Sequence, residues 1–503
     1  MGNREFNRKT PLLNYKVIAS LMGVLLILNG IFMLISLLIS WYYKTEHWDA
    51  LLISGLIAVS CGSLAFYLGK GHELRKQDKS SKKEELKKKD GFMIVTLGWV
   101  LMSFFGCLPY VISGEIPSLT DAFFETISGY STTGASILTD IEAVDKGILF
   151  WRSLTQWIGG MGIIVLTVAI LPILGIGGMQ LFVAEAPGIS PDKLQPRIKE
   201  TAKRLWWVYL GLTMVEMVLL MFGGMDLYDA LNHALTTMAT GGFSTKNTSA
   251  ADMSPYIQYV MIVFMFLAGM NFTLNYFLFK RKFREIWENE EFKAYLALVI
   301  FSTVIVAGVV YSTSFNSNEK IFRDSLFQIV SIITTTGYVS ANYMEWPSLA
   351  IMWVFILMFI GAMAGSTAGG VKLVRHILLF KNTTLELKRQ LHPSAIIPVR
   401  FNNNAVTENI IYNVLAFIVA YIFVFGIGVL ILSGLGLDFN TSLGAVATSL
   451  GNIGPGIGSV GPVDNFAHLP AASKWILSFL MLLGRLELFT VLIIFTPSFW
   501  RKY

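Results

Sequence analysis

Four short segments of the chain share a pattern of residues that suits the binding of a monovalent cation. Each segment opens with a residue able to cap a helix, continues with a small and then a bulky apolar residue, and ends on glycine. The four copies, which align without gaps, are DAFFETISGYSTTG (121–134), DALNHALTTMATGG (229–242), DSLFQIVSIITTTG (324–337) and TSLGAVATSLGNIG (441–454). Such internal similarity indicates a fold built from repeats.

The chemistry that this pattern favours is cation coordination by the main chain. A pore must replace the hydration shell of an ion with oxygen ligands, and backbone carbonyls serve that purpose. Carbonyls turn toward one axis only where the backbone takes conformations that glycine reaches without steric cost. The candidate filter residues are Thr132, Thr133, Gly134, Thr240, Gly241, Gly242, Thr335, Thr336, Gly337, Asn452, Ile453 and Gly454.

Each copy also predicts a short helix in front of its glycine. We expect these helices to begin at Asp121, Asp229, Asp324 and Thr441, whose side-chain oxygens can accept free backbone N–H groups. Their C-terminal ends carry a partial negative charge of about half an electron, which favours a cation nearby. Glycine, serine and threonine are also common at helix contacts. Packing alone, however, does not predict a capped half-helix in every repeat.

A second candidate site is the glycine-rich stretch GAMAGSTAGG (361–370), which interrupts an apolar span. Each interior glycine costs a helix up to about 1 kcal/mol relative to alanine, so the stretch predicts a break. A close helix crossing is the alternative. The candidate gate residues are Gly365, Ser366, Thr367, Ala368, Gly369, Gly370 and Arg485.

Arg485 is a charge inside the last apolar span. A helix rising about 1.5 Å per residue places it near the membrane midplane, where a charge is expensive and usually faces a water-filled interior. We expect Arg485 to raise the barrier to a cation below the filter. The alternative is a structural ion pair with Glu216.

The elements that position these residues are apolar helices. Of the 503 residues, 54% are hydrophobic and 14% are charged, and the mean hydropathy is +0.59, which indicates an all-α polytopic membrane protein. The predicted spans are 15–43, 48–69, 91–113, 147–183, 204–224, 254–281, 293–313, 347–381, 404–434 and 472–499. The short polar segments between them, 118–139, 226–248, 320–343 and 438–466, are the pore loops.

These spans divide the chain into two extra helices and four pseudo-symmetric helix–pore loop–helix repeats around one pore. The predicted boundaries are 1–90 for the two N-terminal transmembrane helices with a basic linker, 91–203 for the first repeat, 204–292 for the second, 293–403 for the third with the gate, and 404–503 for the fourth.

The distribution of charge predicts the orientation in the membrane. Lysine and arginine crowd four connections, the densest at 70–89, whereas the alternate connections hold acidic residues that include Asp121 and Glu125. By the positive-inside rule the basic connections and both termini are cytoplasmic. Since topology explains the basic residues, we expect no nucleic-acid partner; the lipid bilayer is the surrounding medium.

At this point the residues resemble a known family. The loops STTGAS (131–136), ATGGFSTKN (239–247), TTTGY (334–338) and GNIGPG (451–456), together with GAMAGSTAGGVKLVRH (361–376), are similar to those of the TrkH/KtrB bacterial potassium transporters. The two helices before the first repeat are similar to the TrkH branch. The second and fourth loops depart from the simple pattern through the pair Gly241–Gly242 and through Pro455.

The resemblance implies potassium as the transported ion, bound at Gly134, Gly242, Gly337 and Gly454. Glycine rather than serine at position 134 is the variant associated with potassium over sodium in related plant carriers. The resemblance further implies an intramembrane gate loop at 361–370, a bacterial cytoplasmic (inner) membrane location, a homodimer, and a cytoplasmic nucleotide-binding regulatory subunit of the TrkA type. We expect no cofactor in this chain, and nucleotide only through that partner.

Other classes of function fit the sequence less well. A membrane enzyme would need clustered acids, bases or metal ligands, but the six histidines are scattered and the GxGxxG at 456–461 lacks a strand before it and a helix after it. A secondary transporter is expected to show two inverted repeats rather than four loops of one orientation. Whether potassium flux is channel-like or coupled to sodium or protons stays open.

Overall fold

The structure is a computed structural model that describes residues 13–70, 88–165, 195–313, 317–393, 395 and 397–501. The chain begins with a hairpin of two long helices, α1 (Tyr15–Tyr43) and α2 (Trp48–Lys70). Glycines line the contact between them: a Cβ added to Gly23 would lie 2.5 Å from the Gly62 carbonyl oxygen. Small residues therefore let the two backbones approach closely. The predicted basic linker at 71–87 lies outside the described residues.

Four units follow the hairpin, and each contains one short helix at a predicted pore segment. The first unit has α3 (Lys88–Gly106), α4 (Leu108–Ser113), α5 (Leu119–Tyr130) and α6 (Lys146–Val165). The second has α7 (Gln195–Phe222), α8 (Leu227–Met238), α9 (Pro255–Gly269), α10 (Phe272–Phe279) and α11 (Phe283–Glu288). The short helices are α5 and α8, called pore helices below.

The third and fourth units repeat this order. The third has α12 (Glu290–Tyr311), α13 (Asn318–Ile333), α14 (Ser348–Leu357) and α15 (Leu373–Leu391), with α13 as its pore helix. The fourth has α16 (Glu408–Gly434), α17 (Phe439–Gly451), α18 (Ala471–Arg485), α19 (Phe489–Leu492) and α20 (Pro497–Trp500), with α17 as its pore helix.

A small β-hairpin joins the third and fourth units. Strands β1 (Arg400–Phe401) and β2 (Asn404–Ala405) pair antiparallel. Their two-residue turn has positive φ at Asn402 (45°) and Asn403 (64°), as a type I′ turn requires. The sequence analysis did not predict this hairpin, but the predicted fold class is confirmed, since the architecture is otherwise helical.

Within the described residues, six helical segments are long and apolar enough to cross a membrane: α1, α2, α3 with α4, α7, α12 and α16. The pairs α9–α10 and α18–α19 also qualify, but they bend by 115° and 110°. The prediction of unbroken helices over 254–281 and 472–499 is therefore wrong. Part of the span predicted at 147–183, residues 166–183, lies outside the described residues.

The two missed breaks have local causes that depend on tertiary contacts. After α9, the Asn271 side chain caps α10 and donates a hydrogen bond to the Ala364 carbonyl oxygen, 2.7 Å away, in the third unit. After α18, Glu487 and Leu488 take left-handed conformations with φ of 57° and 45°. Neither residue type predicts such a conformation, so the sequence pattern read as a continuous helix.

The predicted starts of the pore helices are also wrong. The N-caps are Ser118, Asp226, Ser317 and Asp438 rather than the residues predicted. In α5, α8 and α17 the predicted residue lies three positions later, and its own N–H donates to the capping side chain. Asp121 and Asp229 recur there because a helix dipole favours negative charge in the first turn.

Candidate functional site

All four pore helices end in the same hydrogen-bond pattern. In α5 the Thr132 N–H donates to the Gly129 carbonyl oxygen (2.9 Å), and the Thr133 N–H donates to the Ser128 carbonyl oxygen (2.9 Å). These two bonds form a Schellman motif. The equivalents of the second bond are Gly241 to Thr236 (2.9 Å), Thr336 to Ser331 (2.8 Å) and Ile453 to Thr448 (3.0 Å). In all four copies the carbonyl that closes the helix belongs to a serine or a threonine, at Ser128, Thr236, Ser331 and Thr448.

The four loops after these helices have positive φ angles at equivalent positions. One residue just beyond each pore helix is left-handed, with φ of 53° at Thr132, 54° at Thr240, 56° at Thr335 and 55° at Asn452. Two positions later the glycines are left-handed again, with φ of 80° at Gly134, 73° at Gly242, 82° at Gly337 and 102° at Gly454. The second and fourth loops thus follow the pattern despite their different sequences.

The left-handed threonines are unusual. A β-branched residue rarely adopts positive φ, and such strain costs about 1–3 kcal/mol and persists only where the surroundings enforce it. Strain of this kind concentrates at functional sites. In these loops it recurs in three of the four copies, at Thr132, Thr240 and Thr335, which indicates that the backbone shape serves the site rather than local stability.

The four loops form a closed ring. A Cβ added to Gly134 would overlap the Gly241 carbonyl oxygen of the second loop, and one added to Gly242 would overlap that of Thr336 in the third. The same relation holds between Gly337 and the Ile453 carbonyl oxygen, and Gly454 returns the ring to the first loop at the Thr133 carbonyl oxygen. Each glycine thus packs on the carbonyl that precedes the next glycine. The structure brings all four predicted loops around one axis.

One cavity of about 260 Å³ opens above this ring and is lined by all four glycines. It also touches Arg152, Lys246 and Asp464. Since one space reaches every loop, an ion there would meet the four copies together.

The Gln156 side chain on α6 forms two hydrogen bonds with the backbone of the second loop. Its Nε2 donates to the Gly241 carbonyl oxygen (2.7 Å), and its Oε1 accepts the Phe243 N–H (3.1 Å). In the fourth loop, Asn452 Nδ2 donates to Thr133 Oγ1 (3.0 Å) and to the Met481 carbonyl oxygen (2.9 Å). These side chains hold neighbouring loops in register.

A buried ion pair supports the first two loops. Glu125 on α5 and Arg152 on α6 are 0% and 2% exposed, and Arg152 Nε lies 2.7 Å from Glu125 Oε1. Glu125 also accepts the Ile137 N–H (2.8 Å), and Arg152 donates to the Ser244 carbonyl oxygen (3.1 Å). Glu125 lies in a connection between two spans, as the sequence analysis placed it, but its burial in an ion pair was not predicted. Its position between the apolar residues Phe123, Phe124 and Ile127 was the available signal, because buried charges in membranes are usually paired.

As predicted, the glycine-rich stretch of the third unit interrupts the helix. Residues 358–372, called the intramembrane loop below, separate α14 from α15. Thr367 Oγ1 donates to the Met238 carbonyl oxygen at the end of α8 (3.0 Å), and the Gly369 N–H donates to Thr335 Oγ1 (2.6 Å). The loop therefore lies directly against the ends of the pore helices and against the filter loops.

Arg485 binds this loop from the fourth unit. Its Nη1 donates to the Thr367 carbonyl oxygen (2.7 Å) and its Nη2 to the Gly159 carbonyl oxygen on α6 (3.2 Å). It is the last residue of α18, at the 110° bend, and is 2% exposed. Among its described contacts there is no ion pair with Glu216, the alternative considered from the sequence. Arg485 instead joins the loop of the third unit to the first unit.

Two further cations near the loop were missed by the sequence analysis. Lys372 Nζ donates to the Ala368 carbonyl oxygen (2.6 Å), so two consecutive loop carbonyls, at Thr367 and Ala368, each receive a positively charged group. Arg375 pairs with Glu487 across the bend after α18 (2.6 Å). Charged residues that directly follow a glycine-rich break in an apolar span could have signalled both.

Comparisons with known proteins agree with this architecture. The chain matches the TrkH family, described as a cation transport protein, over residues 61–502. It is 39% identical over 498 residues to the Trk system potassium uptake protein TrkH of Escherichia coli (strain K12), covering 97% of this chain and 100% of that protein. It is 32% identical over 491 residues to the Trk system potassium uptake protein TrkG of the same organism, covering 97% and 99%.

A solved structure is similar as well. The crystal structure of the potassium transporter TrkH from Vibrio parahaemolyticus has a TM-score of 0.87 and 36% sequence identity, and the match covers 97% of this chain and 100% of that chain. Because the match to the family spans most of the sequence and the relatives are covered along nearly their whole length, the chain belongs to the TrkH family of cation transport proteins.

Proposed function

We propose that this protein takes up potassium ions across a membrane through a filter of main-chain carbonyls from its four pore loops. The closed ring of loops, in which each filter glycine packs on a carbonyl of the next, is the observation that carries the proposal. Four equivalent backbone turns around one axis offer oxygen ligands in place of the hydration shell of an ion. The relatives are named as potassium uptake proteins, which supports potassium as the cargo.

The ion-binding residues in this proposal are the three terminal residues of each pore loop, with the glycines at Gly134, Gly242, Gly337 and Gly454. The conformations of these loops explain why the glycines are needed: each has φ between 73° and 102°, where a side chain would be strained. The pore helices point their negative ends toward the same region, which adds a sequence-independent attraction for cations.

The gate in this proposal consists of the intramembrane loop with Arg485. The loop contacts the third filter loop through Gly369 and Thr335, and Arg485 holds Thr367 from below. A cation leaving the filter would meet both a physical obstruction and a fixed positive charge. Opening therefore requires Arg485 to release Thr367 and the loop to move aside.

The proposed setting is the bacterial cytoplasmic membrane, with both termini inside. The clustering of lysine and arginine in alternate connections supports this orientation. A homodimer and a TrkA-type nucleotide-binding regulatory subunit are proposed from the family resemblance, and the relatives' names as components of a Trk system support a multi-component assembly. Nucleotide would act only through that partner.

The experiment that tests this function is rescue of a potassium-uptake-deficient bacterium at low external potassium. Expression of the chain with a TrkA-type subunit should restore growth and rubidium uptake. Gly337→Asp should abolish both, because its Cβ alone would overlap the Ile453 carbonyl oxygen. Comparing uptake with and without sodium or a proton gradient separates channel-like from coupled flux. Growth equal to that of the empty host, with the protein present in the membrane, would refute potassium uptake.

A further inference from the structure

One buried carboxylate bonds both to the intramembrane loop and to the start of α15. Glu291, in the first turn of α12, is 0% exposed. Its Oε1 accepts the Ala364 N–H (2.8 Å) on one side of the loop and the Val374 N–H (3.1 Å) on the other. Glu291 therefore links the segment around Ala364 to the start of α15 at Val374.

The same region is closed by main-chain bonds. The Gly361 N–H donates to the Val371 carbonyl oxygen (2.6 Å), and the Leu373 N–H donates to the Ala362 carbonyl oxygen (3.0 Å). Residues 361–365 and 371–374 thus form a paired structure, called the loop base below. Residues 366–370 form the loop tip.

The break between α9 and α10 also holds the loop base. The Asn271 side chain donates to the Ala364 carbonyl oxygen (2.7 Å), and the Phe272 N–H donates to the Gly365 carbonyl oxygen (3.1 Å). A Cβ on Gly365 would lie 2.8 Å from Asn271 Nδ2, so the two segments are closely fitted. The intramembrane loop of the third unit therefore packs against the 115° bend of the second unit.

The loop tip is held differently. Arg485 of the fourth unit donates to the Thr367 carbonyl oxygen (2.7 Å), and Lys372 of the same loop donates to that of Ala368 (2.6 Å). Threonine hydroxyls bond the tip to the end of α8 and to the third filter loop. Such groups can swing away by rotamer changes. The loop base, in addition to the Glu291 and Asn271 side chains, has main-chain bonds from Gly361 to Val371, from Leu373 to Ala362 and from Phe272 to Gly365, which break only if the backbone segments separate.

We propose that Glu291 is the positioning residue of the gate: it fixes the loop base, so that opening consists of movement of the tip alone. This inference rests on the proposed function only in naming the loop a gate. In this proposal α12 and the bend after α9 stay fixed and hold the loop base in place while the tip moves. The charges that face Glu291 include Lys372, on the α15 side of the loop.

The test measures thiol reactivity of the full-length protein in membrane vesicles. Cys61, which is exposed, is replaced by serine, and Cys107, which is buried, is kept. One reporter is Ala362→Cys in the loop base (0% exposed) and the other is Ala368→Cys in the tip (2% exposed). Each reporter is combined with Arg485→Ala, Glu291→Leu, Glu291→Gln or Glu290→Gln. Glu290 is the matched control, because it precedes Glu291 in α12 but pairs with Lys381 instead of the loop.

We expect Arg485→Ala to raise the reactivity of the tip reporter about ten-fold or more, as the loss of hydrogen bonds from a charged group allows, and to leave the base reporter protected. Glu291→Leu should expose both reporters. Glu291→Gln, which keeps an acceptor oxygen, should stay within about two-fold of the parent, and Glu290→Gln should match it. If Glu291→Leu does not accumulate, Glu291→Asp, one methylene too short to reach both amides, replaces it.

Two results would overturn the proposal: protection of the base reporter in Glu291→Leu or Glu291→Asp, or equal exposure of base and tip in Arg485→Ala. The thiol measurement does not depend on which ion is carried. A failure here is therefore distinct from a failure of potassium uptake in the rescue experiment.

Discussion

Substituting Gly337 by alanine tests whether the ring of loops is the ion pathway. Gly337 has φ of 82°, and an alanine there costs about 1–2 kcal/mol in backbone energy. Its Cβ would also overlap the Ile453 carbonyl oxygen and lie 3.0 Å from Pro455 Cδ. Since carbon contacts prefer about 3.5–4.0 Å, the third and fourth loops would have to separate by on the order of 1 Å.

A shift of that size moves filter carbonyls away from the ion. Misplacement of reacting groups by about 1 Å costs about 100-fold in enzymes, and we expect a comparable or larger loss of rubidium uptake from Gly337→Ala. The assay is initial rubidium uptake into potassium-uptake-deficient cells, normalised to folded protein extracted from the membrane. Because a cost of about 1–2 kcal/mol is a large fraction of the usual net stability of a protein, uptake is compared only per folded molecule.

Two matched glycines provide controls. Gly114 has φ of 79° but no heavy atom within 4 Å of an added Cβ, so Gly114→Ala carries the backbone cost without the overlap. Gly308 lies inside α12 and also has free space, so Gly308→Ala should stabilise the helix by up to about 1 kcal/mol. Both variants should transport normally. Uptake by Gly337→Ala equal to that by Gly114→Ala would refute the assignment of the ring as the filter.

Three other predictions follow from the described contacts. Arg485→Ala removes the hydrogen bonds that a charged group donates to Thr367 and Gly159, each worth about 1.5–3 kcal/mol. Basal rubidium uptake should therefore rise about ten-fold or more, and an unchanged rate would contradict the barrier role. Arg152→Ala leaves Glu125 buried without its cation and should cost about 3–5 kcal/mol, visible as a lower thermal midpoint in detergent, and an unaltered midpoint would show that the pair does not support the loops. Hydrogen bonds from the Thr441 hydroxyl and amide lower the pKa of Asp438. The stability contributed by this cap is therefore complete above the ordinary aspartate pKa and is lost as pH falls through the lowered value. Asp438→Asn should abolish this component of a thermal-midpoint profile between pH 7 and pH 3, and a profile identical to the parent's would exclude it.

Much of the architecture was predictable because membrane proteins obey simple constraints. The apolar spans followed from their length and composition, and the four pore segments followed from their alignment with one another. The break at 361–370 was predictable because several glycines weaken a helix locally. In each case the signal lies in residues that are neighbours in sequence.

The errors arose where one part of the chain changes the conformation of another. Asn271 caps α10 while it binds the third unit, so the bend after α9 cannot be predicted from the residues around it. The pore helices begin earlier than predicted because several residues can act as caps, and the sequence does not say which of them does. The burial of Glu125 was not predicted because its partner, Arg152, lies on another helix.

The sequence by itself determined that the chain is a membrane protein of four repeats, each carrying a glycine-ended pore segment, because hydropathy and internal similarity are local properties. Only the tertiary structure decided that the four loops close into one ring, that Arg485 ends its helix against the intramembrane loop, and that Glu291 accepts two backbone hydrogen bonds there. Those facts depend on contacts between residues far apart in the chain. Their distances are set by the packing of all the helices together, which no single segment encodes.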